Sequence, residues 1–308
     1  MCDIWKGNKN IKQLSEEDVQ GLLQSLVKFR TKQVLMSGGE ALLNPLFFQF
    51  CEILRKEKIK IVLLSTGLLL KRHADLLVKY VDEIIVSIDG DESLHDSIRN
   101  IPGAFHQLKE GIAALKKINP GFRITARTVI HQLNFKAWPS IIDAARNIGI
   151  NKISFLAADV SSTAFNREII WGKDRKNEIM IQVNQLGELG NVIHCLLSNY
   201  KIDFEKGFIA ESPEKIKKIY TYYAALNGLC DFPYKKCNAP WVSTVIEADG
   251  NVRPCFFYPV IGNIRGASLH KILNHQSVVS FRKTLNTYDN DICKKCVCSL
   301  YLPPYQSV

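Results

Sequence analysis

The chain has 308 residues, 46% hydrophobic and 23% charged, enough for a sizeable core plus a second domain and ordinary for a globular protein. Its net charge of +10 is spread along the chain in short clusters such as EKIKKIY and YKKCNAP, a solvated surface rather than a basic tail for nucleic acid. There is no basic and apolar N-terminal signal and no uninterrupted apolar run long enough to span a bilayer, so a soluble, cytoplasmic protein without a membrane partner is expected.

From about residue 30 to 155, short β-branched runs alternate with longer helical ones. The predicted strands are KQVLMS, IKIVLLS, DEIIVSID, FRITARTVI and NKISFLA. Between them NPLFFQFCEILRKEK, LLLKRHADLLVKY, AFHQLKEGIAALKKI and AWPSIIDAARNIG carry apolar residues at helical spacing, with Pro45 and Pro139 at helix starts. Repeated βα units predict a parallel sheet, and strands buried on both faces read as nearly continuous apolar runs, as these do. Helical patterns follow over roughly 174–199 and 213–227. Past Asn227 the character changes: WVSTVIEADGNVRPCFFYPV predicts a hairpin turning at Asp-Gly-Asn, and SLHKILNHQSVVSFRKTL one more helix. The domains expected are 1–227 and 228–308.

Ligands of such folds bind at the C-terminal ends of the parallel strands. The first predicted strand ends in Ser37-Gly38-Gly39-Glu40, the second in Ser65-Thr66-Gly67, the third in Ser87-Ile88-Asp89-Gly90, followed by His95, Asp96 and Arg99. Three strand ends with Ser or Thr beside glycine and an acid predict a polar mouth for a small molecule, although one Gly-Gly turn alone is more often only a turn.

Nine cysteines without a secretion signal argue against disulfides and for metal or redox chemistry. Cys51 and Cys195, inside apolar helical patterns, read as buried packing residues. Cys230, Cys237, Cys255, Cys293, Cys296 and Cys298 cluster near the C-terminus, and Cys2 opens the chain.

In order and composition, MSGGEALLNP, STGLLL and VSIDGDESLHDSIRN resemble the core of the radical S-adenosylmethionine (SAM) enzymes. The resemblance implies a partial (β/α)6-type barrel and a chemistry in which a reduced [4Fe–4S] cluster cleaves SAM to a 5′-deoxyadenosyl radical that takes hydrogen from a substrate. Cys2 in MCDIW resembles the last cysteine of the family's Cys-x3-Cys-x2-Cys loop, whose other two cysteines and preceding strand are not in this sequence. One thiolate cannot hold a cubane cluster, so the expectation is a shortened form, or a start at an internal Met, that does not perform the chemistry as written. A non-catalytic descendant is the alternative.

By the same resemblance Gly38, Gly39 and Glu40 match the segment that grips the methionine amino group, and Ser87 and Arg99 match positions that contact its carboxylate, for which a guanidinium fork is suited. Thr66 and Asp89 join that cofactor-binding set, and Arg127 matches more loosely, near the adenosine or carboxylate. The bland reading of Arg99 is a surface ion pair with Asp96 or Asp91.

The spacing Cys237-x12-Gly250-x4-Cys255 resembles the SPASM module, the auxiliary-cluster domain of many radical enzymes acting on peptides. It implies one auxiliary [4Fe–4S] cluster on Cys237, Cys255 and two of Cys230, Cys293, Cys296 and Cys298. Zinc in the same thiolates is the competing reading. Implied partners are a peptide, protein or small cofactor precursor as substrate and a one-electron donor such as flavodoxin or ferredoxin. A basic, zinc-stabilised nucleic-acid-binding protein is the remaining rival, and the dispersed charge speaks against it.

Overall fold

The computed structural model describes residues 12–164, 167 and 169–303. The first helix, α1 (Glu16–Lys28), is absent from the sequence reading. Its signal is a capping box: Ser15 Oγ accepts from the Asp18 N–H at 3.2 Å, and Asp18 returns the bond to the Ser15 N–H at 2.9 Å. Then come β1 (Gln33–Met36), α2 (Phe47–Lys56), β2 (Lys60–Ser65), α3 (Ala74–Tyr80), β3 (Glu83–Ser87), α4 (Glu92–Arg99), α5 (Ala104–Ile118), β4 (Arg123–Ile130), α6 (Trp138–Asn147) and β5 (Lys152–Ala157).

The five strands lie in chain order in one sheet, and the pairs from β2 to β5 are parallel. This is the expected α/β architecture, a partial barrel. Beyond β5 the backbone adds a rudimentary further rung. The Ile153 N–H donates to the Phe208 carbonyl and the Ala210 N–H to the Ile153 carbonyl, both at 2.8 Å. Glu211 extends it with its side chain, taking the Phe155 N–H at 3.0 Å, so a carboxylate satisfies a donor the strand edge would leave open.

Packing divides the chain into two compact units, neither continuous in sequence. The first comprises 62–160 and 171–233. Its core is the sheet's Val62, Leu63, Ile84, Val86, Ile124 and Ile153 with Leu108, Ile112 and Leu115 of α5 and Ile141, Ile142 and Ala145 of α6, all buried. Each Val, Leu or Ile side chain among these contributes about 1.5–3 kcal/mol by leaving water. Trp138, fully buried at the start of α6, sets its ring 5.1 Å from Phe155. Gly67, just past β2, has φ +93°, and a Cβ there would collide with Leu108. Gly67→Ala is therefore expected to lower stability by about 1–3 kcal/mol, from overpacking and backbone strain together, as a fall in the thermal unfolding midpoint.

The same unit carries α7 (Lys173–Ile179), α8 (Leu186–Asn199), α9 (Lys201–Glu205) and α10 (Pro213–Leu226). The single helical pattern expected over 174–199 is thus two helices, with a break where Gln182 and Gln185 form a capping box. Cys195 on α8 is half-buried rather than buried, and Asn199 donates to its sulfur at 3.2 Å. Cys51 is fully buried, as expected.

The second unit joins the described residues up to Ile61 with 161–170 (in their described part) and Tyr234 onward. Here α1 is tied to the C-terminal region. Arg265 chelates the Asp18 carboxylate at 2.7–3.3 Å and holds it below the usual carboxylate range, while the His270 N–H donates to Ser25 Oγ at 3.1 Å. The C-terminal region comprises α11 (Ala239–Val242), β6 (Val245–Ile246), β7 (Asn251–Arg253), β8 (Gly262–Asn263), α12 (Leu269–Leu273), α13 (Gln276–Thr284) and α14 (Asp291–Lys295). The predicted hairpin is β6–β7, antiparallel, with Gly250 at φ +85° in its turn; Trp241 and Val242 belong to α11 rather than to the strand. The single helix expected over 268–285 is α12 and α13. His275 adopts an extended ψ of 142° and its Nδ1 caps α13 through the Ser277 N–H, which ends the first helix and starts the second. Among the described residues no helix is long and apolar enough to cross a membrane.

Candidate active site

Strand register assembles the first part of the site. Ser87 of β3 stands opposite Arg127 of β4, and Arg127 opposite Ser154 of β5. Side chains alternate along a strand, so these three form one polar row across the sheet. Ser65 pairs with Val86, which brings Thr66, the next residue, level with Ser87. Arg127 is held within the row: its Nε donates to Ser154 Oγ at 3.2 Å, and Ser154 Oγ donates to the Ala126 carbonyl at 3.4 Å. Glu211 faces this end of β5, and burial raises its carboxyl above the usual range, with Phe155's hydrogen bond and the charges of Lys215 and Arg127 opposing. The sequence reading missed Ser154 and Glu211. The first is legible only once the β4–β5 register is known, and the second follows no periodic signal.

The second part is built around Asp89, buried at the end of β3. Its N–H donates to His95 Nδ1 at 3.2 Å, and its carbonyl accepts from Asn134 Nδ2 at 3.1 Å. Asn134 also donates to the Val129 carbonyl and accepts from the His131 N–H. His95 must be neutral with its proton on Nε2 to accept at Nδ1; burial lowers its pKa, with the Asp89 charge opposing. The Asp89 carboxylate meets Arg99 Nε at 2.6 Å. The N–H is out of line with the oxygen, so the pair is ionic without hydrogen-bond geometry.

The pair replaces the ion pair with Asp91 or Asp96 that the sequence suggested for Arg99. Asp91 caps α4 through the Leu94 N–H at 3.0 Å, and Asp96 accepts the Gly103 and Phe105 N–H groups at 2.5 and 2.8 Å. Both carboxylates are committed to backbone, and Arg99 pairs with Asp89 instead. Arg99 meets Asp89 through Nε, on a side chain 28% exposed. Asp89 is thus a partner of Arg99 and sits too deep, at 2% exposure, to reach far into a ligand site itself.

In the second unit Gly38 has φ +157°, a value side-chain-bearing residues rarely adopt, and nothing lies within 4 Å of where its Cβ would be. Glu40 begins a 3-10 turn, Ala41–Leu43, accepting from the Leu42 N–H at 3.4 Å.

The cysteines form a separate site in that unit. Cys237, Cys255, Cys293, Cys296 and Cys298 line one small cavity with Lys235, Phe257 and Tyr258. Asn238, next to Cys237, accepts the Leu302 N–H at 3.0 Å and donates to its carbonyl at 2.7 Å, which fastens the chain after Cys298. Lys235 Nζ donates to the Cys296 carbonyl. Cys230 belongs to the other unit, where its exposed thiol faces the Thr221 carbonyl at 3.7 Å. Cys2 lies outside the described residues.

Burial, with the charges of Cys293 and Cys237 acting in the same direction, pushes the Cys255 thiol up to about 11. Burial likewise raises Cys293 and Cys296, again with neighbouring cysteines adding to it. Mutually repelling thiolates in an apolar cavity need positive charge to ionise, which is what iron or zinc supplies. Five thiols around one cavity are enough for the four corners of a cubane cluster, and four of the same thiolates also suit zinc.

Comparison with known proteins identifies two domains. The profile described as Radical SAM superfamily matches residues 1–155, and the profile described as iron–sulfur cluster-binding domain, SPASM, matches 237–297. The AdoMet-dependent heme synthase of Methanosarcina barkeri is 25% identical over 88% of this chain and 76% of its own length. The antilisterial bacteriocin subtilosin biosynthesis protein AlbA of Bacillus subtilis is 25% identical over 85% of this chain, which spans about half (53%) of that protein. Streptococcus suis SuiB, solved with its precursor peptide SuiA, shares the fold over 98% of this chain and 69% of SuiB, at a TM-score of 0.63 and 15% identity. SAM, a radical SAM [4Fe–4S] cluster and an auxiliary iron–sulfur cluster are the cofactors that go with these two domains. With half its length matched, the chain belongs to the radical SAM superfamily and carries a SPASM domain.

Proposed function

We propose that this protein binds SAM with Gly38, Gly39 and Glu40 toward the methionine amino group and with Ser87 and Arg99 toward its carboxylate, and oxidatively modifies a peptide. Thr66 and Arg127 belong to the same binding set. When bound, the family's cluster and SAM supply one-electron cleavage of a carbon–sulfur bond and removal of a hydrogen atom from substrate. The chain's own part is to bind and orient. Arg99, braced through Nε by Asp89, offers two terminal N–H2 groups whose spacing matches a carboxylate. The Ser87–Arg127–Ser154 row starts at the end of β3 and runs into β4 and β5, where Ser154 holds Arg127. Cys237, Cys255 and Cys293, with Cys296 or Cys298, hold the auxiliary cluster, and a flavodoxin- or ferredoxin-like carrier provides electrons. The Arg99–Asp89 pair, at 2.6 Å, is the observation that carries the reading.

Support for a peptide substrate comes from AlbA, named for bacteriocin biosynthesis, and from SuiB, solved bound to a precursor peptide. The heme synthase relative favours a second reading, a tetrapyrrole side chain. The test is a protein carrying a Cys-x3-Cys-x segment joined ahead of Met1, so that Cys2 becomes the third cysteine of the loop. Reconstituted without air and reduced with dithionite, it is expected to convert SAM to 5′-deoxyadenosine, read by mass spectrometry. No product from a protein with full iron content would leave the non-catalytic reading in its place.

A further inference from the structure

The cysteine cavity contains one polar side chain that no ligand assignment uses. Tyr258 is 95% buried, at 5% exposure, three residues after Cys255. Its N–H closes a turn onto the Cys255 carbonyl at 3.2 Å, and its own carbonyl is held by Arg253 at 2.9 Å. The ring packs edge-on against Phe281 at 4.9 Å. These contacts fix where the hydroxyl points: 3.3 Å from Cys293 Sγ and 2.9 Å from Asn290 Oδ1.

We propose that Tyr258 is a hydrogen-bond donor to the Cys293 thiolate and raises the reduction potential of the auxiliary cluster; this rests on Cys293 being one of its ligands.

The argument is one of donor supply. A tyrosine hydroxyl has one proton to give. While Cys293 is a thiol, the sulfur can donate to the tyrosine oxygen, and the tyrosine to Asn290. Once the sulfur is bonded to iron it has no proton and can only accept. Asn290 Oδ1 already receives the Ile292 and Cys293 N–H groups, at 3.0 and 3.3 Å, in capping α14. It therefore loses little when the hydroxyl turns to the sulfur. A hydrogen bond to a cluster sulfur stabilises the reduced, more negative state more than the oxidised one, and raises the potential. Apart from this hydroxyl, Lys235, Thr287 and the thiols, the lining is apolar, so the bond is little screened.

Tyr258→Phe removes the hydroxyl and keeps the ring against Phe281. The experiment compares wild-type, Y258F and C293S full-length proteins reconstituted without air, by iron and sulfide analysis and by an EPR-monitored redox titration of the signal that SAM does not perturb. Y258F is expected to keep its iron and sulfide, with the ratio of reduced to oxidised cluster at the wild-type midpoint falling about tenfold, a negative shift of ~59 mV for one electron. An unchanged midpoint at full iron content overturns the proposal, and so does loss of iron in Y258F, which would make the tyrosine a structural residue. C293S separates the underlying reading: wild-type iron and an unchanged spectrum there would show that Cys293 is no ligand. A second measurement needs no variant. In D2O the wild-type cluster should show one strongly coupled exchangeable deuteron by pulsed EPR, and its absence counts against the hydrogen bond.

Discussion

Cys255→Ala is expected to empty the C-terminal cavity, with iron falling by about four atoms per chain, while Cys230→Ala retains its full complement. The contrast follows from placement. Cys255 is the buried thiol whose pKa responds to both Cys237 and Cys293, whereas Cys230 is exposed and faces the Thr221 carbonyl. Iron and sulfide analysis after anaerobic reconstitution reads the result directly. Because cluster binding to the folded cavity contributes to folding free energy, loss of the cluster should also lower the unfolding temperature, the usual coupling of metal binding to folding. If C230A lost iron as C255A does, the five-cysteine cavity would not be the complete ligand set. If C255A kept its iron, the cavity would not be the cluster site at all.

Arg99 variants are expected to produce the second large effect, on SAM affinity. A charge-assisted hydrogen bond is worth about 1.5–3 kcal/mol, so Arg99→Ala should weaken SAM binding by about ten- to a hundredfold in an isothermal titration. Arg99→Lys keeps the charge but cannot pair with Asp89 through one nitrogen while presenting two to a carboxylate, and should fall between wild type and alanine. The alanine variant also leaves the buried Asp89 carboxylate without its cation, which destabilises the end of β3. Arg99 is partly exposed, so the stability loss should lie at the low end for a broken buried pair, and the lysine variant controls for it. Equal affinity in all three proteins would remove Arg99 from the cofactor site and leave it a brace for Asp89.

How much of this was legible in the sequence varies with the range of the interaction involved. All five strands follow from β-branched apolar runs, because a strand buried on both faces shows its period in its own residues. The helices of the βα units follow from their apolar spacing for the same reason, though only Ala74–Tyr80 of the expected 68–80 stretch is helical. The Cys237–Cys255 spacing was readable because one hairpin sets it. The missed α1 was readable too, since its capping box lies within four residues.

Partnerships between distant positions were not. The Arg99–Asp89 pair was hidden behind the nearer Asp91 and Asp96, and only the backbone bonds that occupy those two carboxylates exclude them. Likewise, the break at His275 depends on a cap that competes with an otherwise continuous apolar pattern. Which cysteines share a cavity, and that Tyr258 reaches Cys293 across 35 positions of chain, depends on how a hairpin, a turn and a short capped helix pack together. The sequence by itself determined the elements, the family and the kinds of ligand the chain can hold, because periodicity and motif spacing are local. Only the tertiary structure decided which of those groups meet, because packing brings together residues whose separation along the chain carries no signal of their contact.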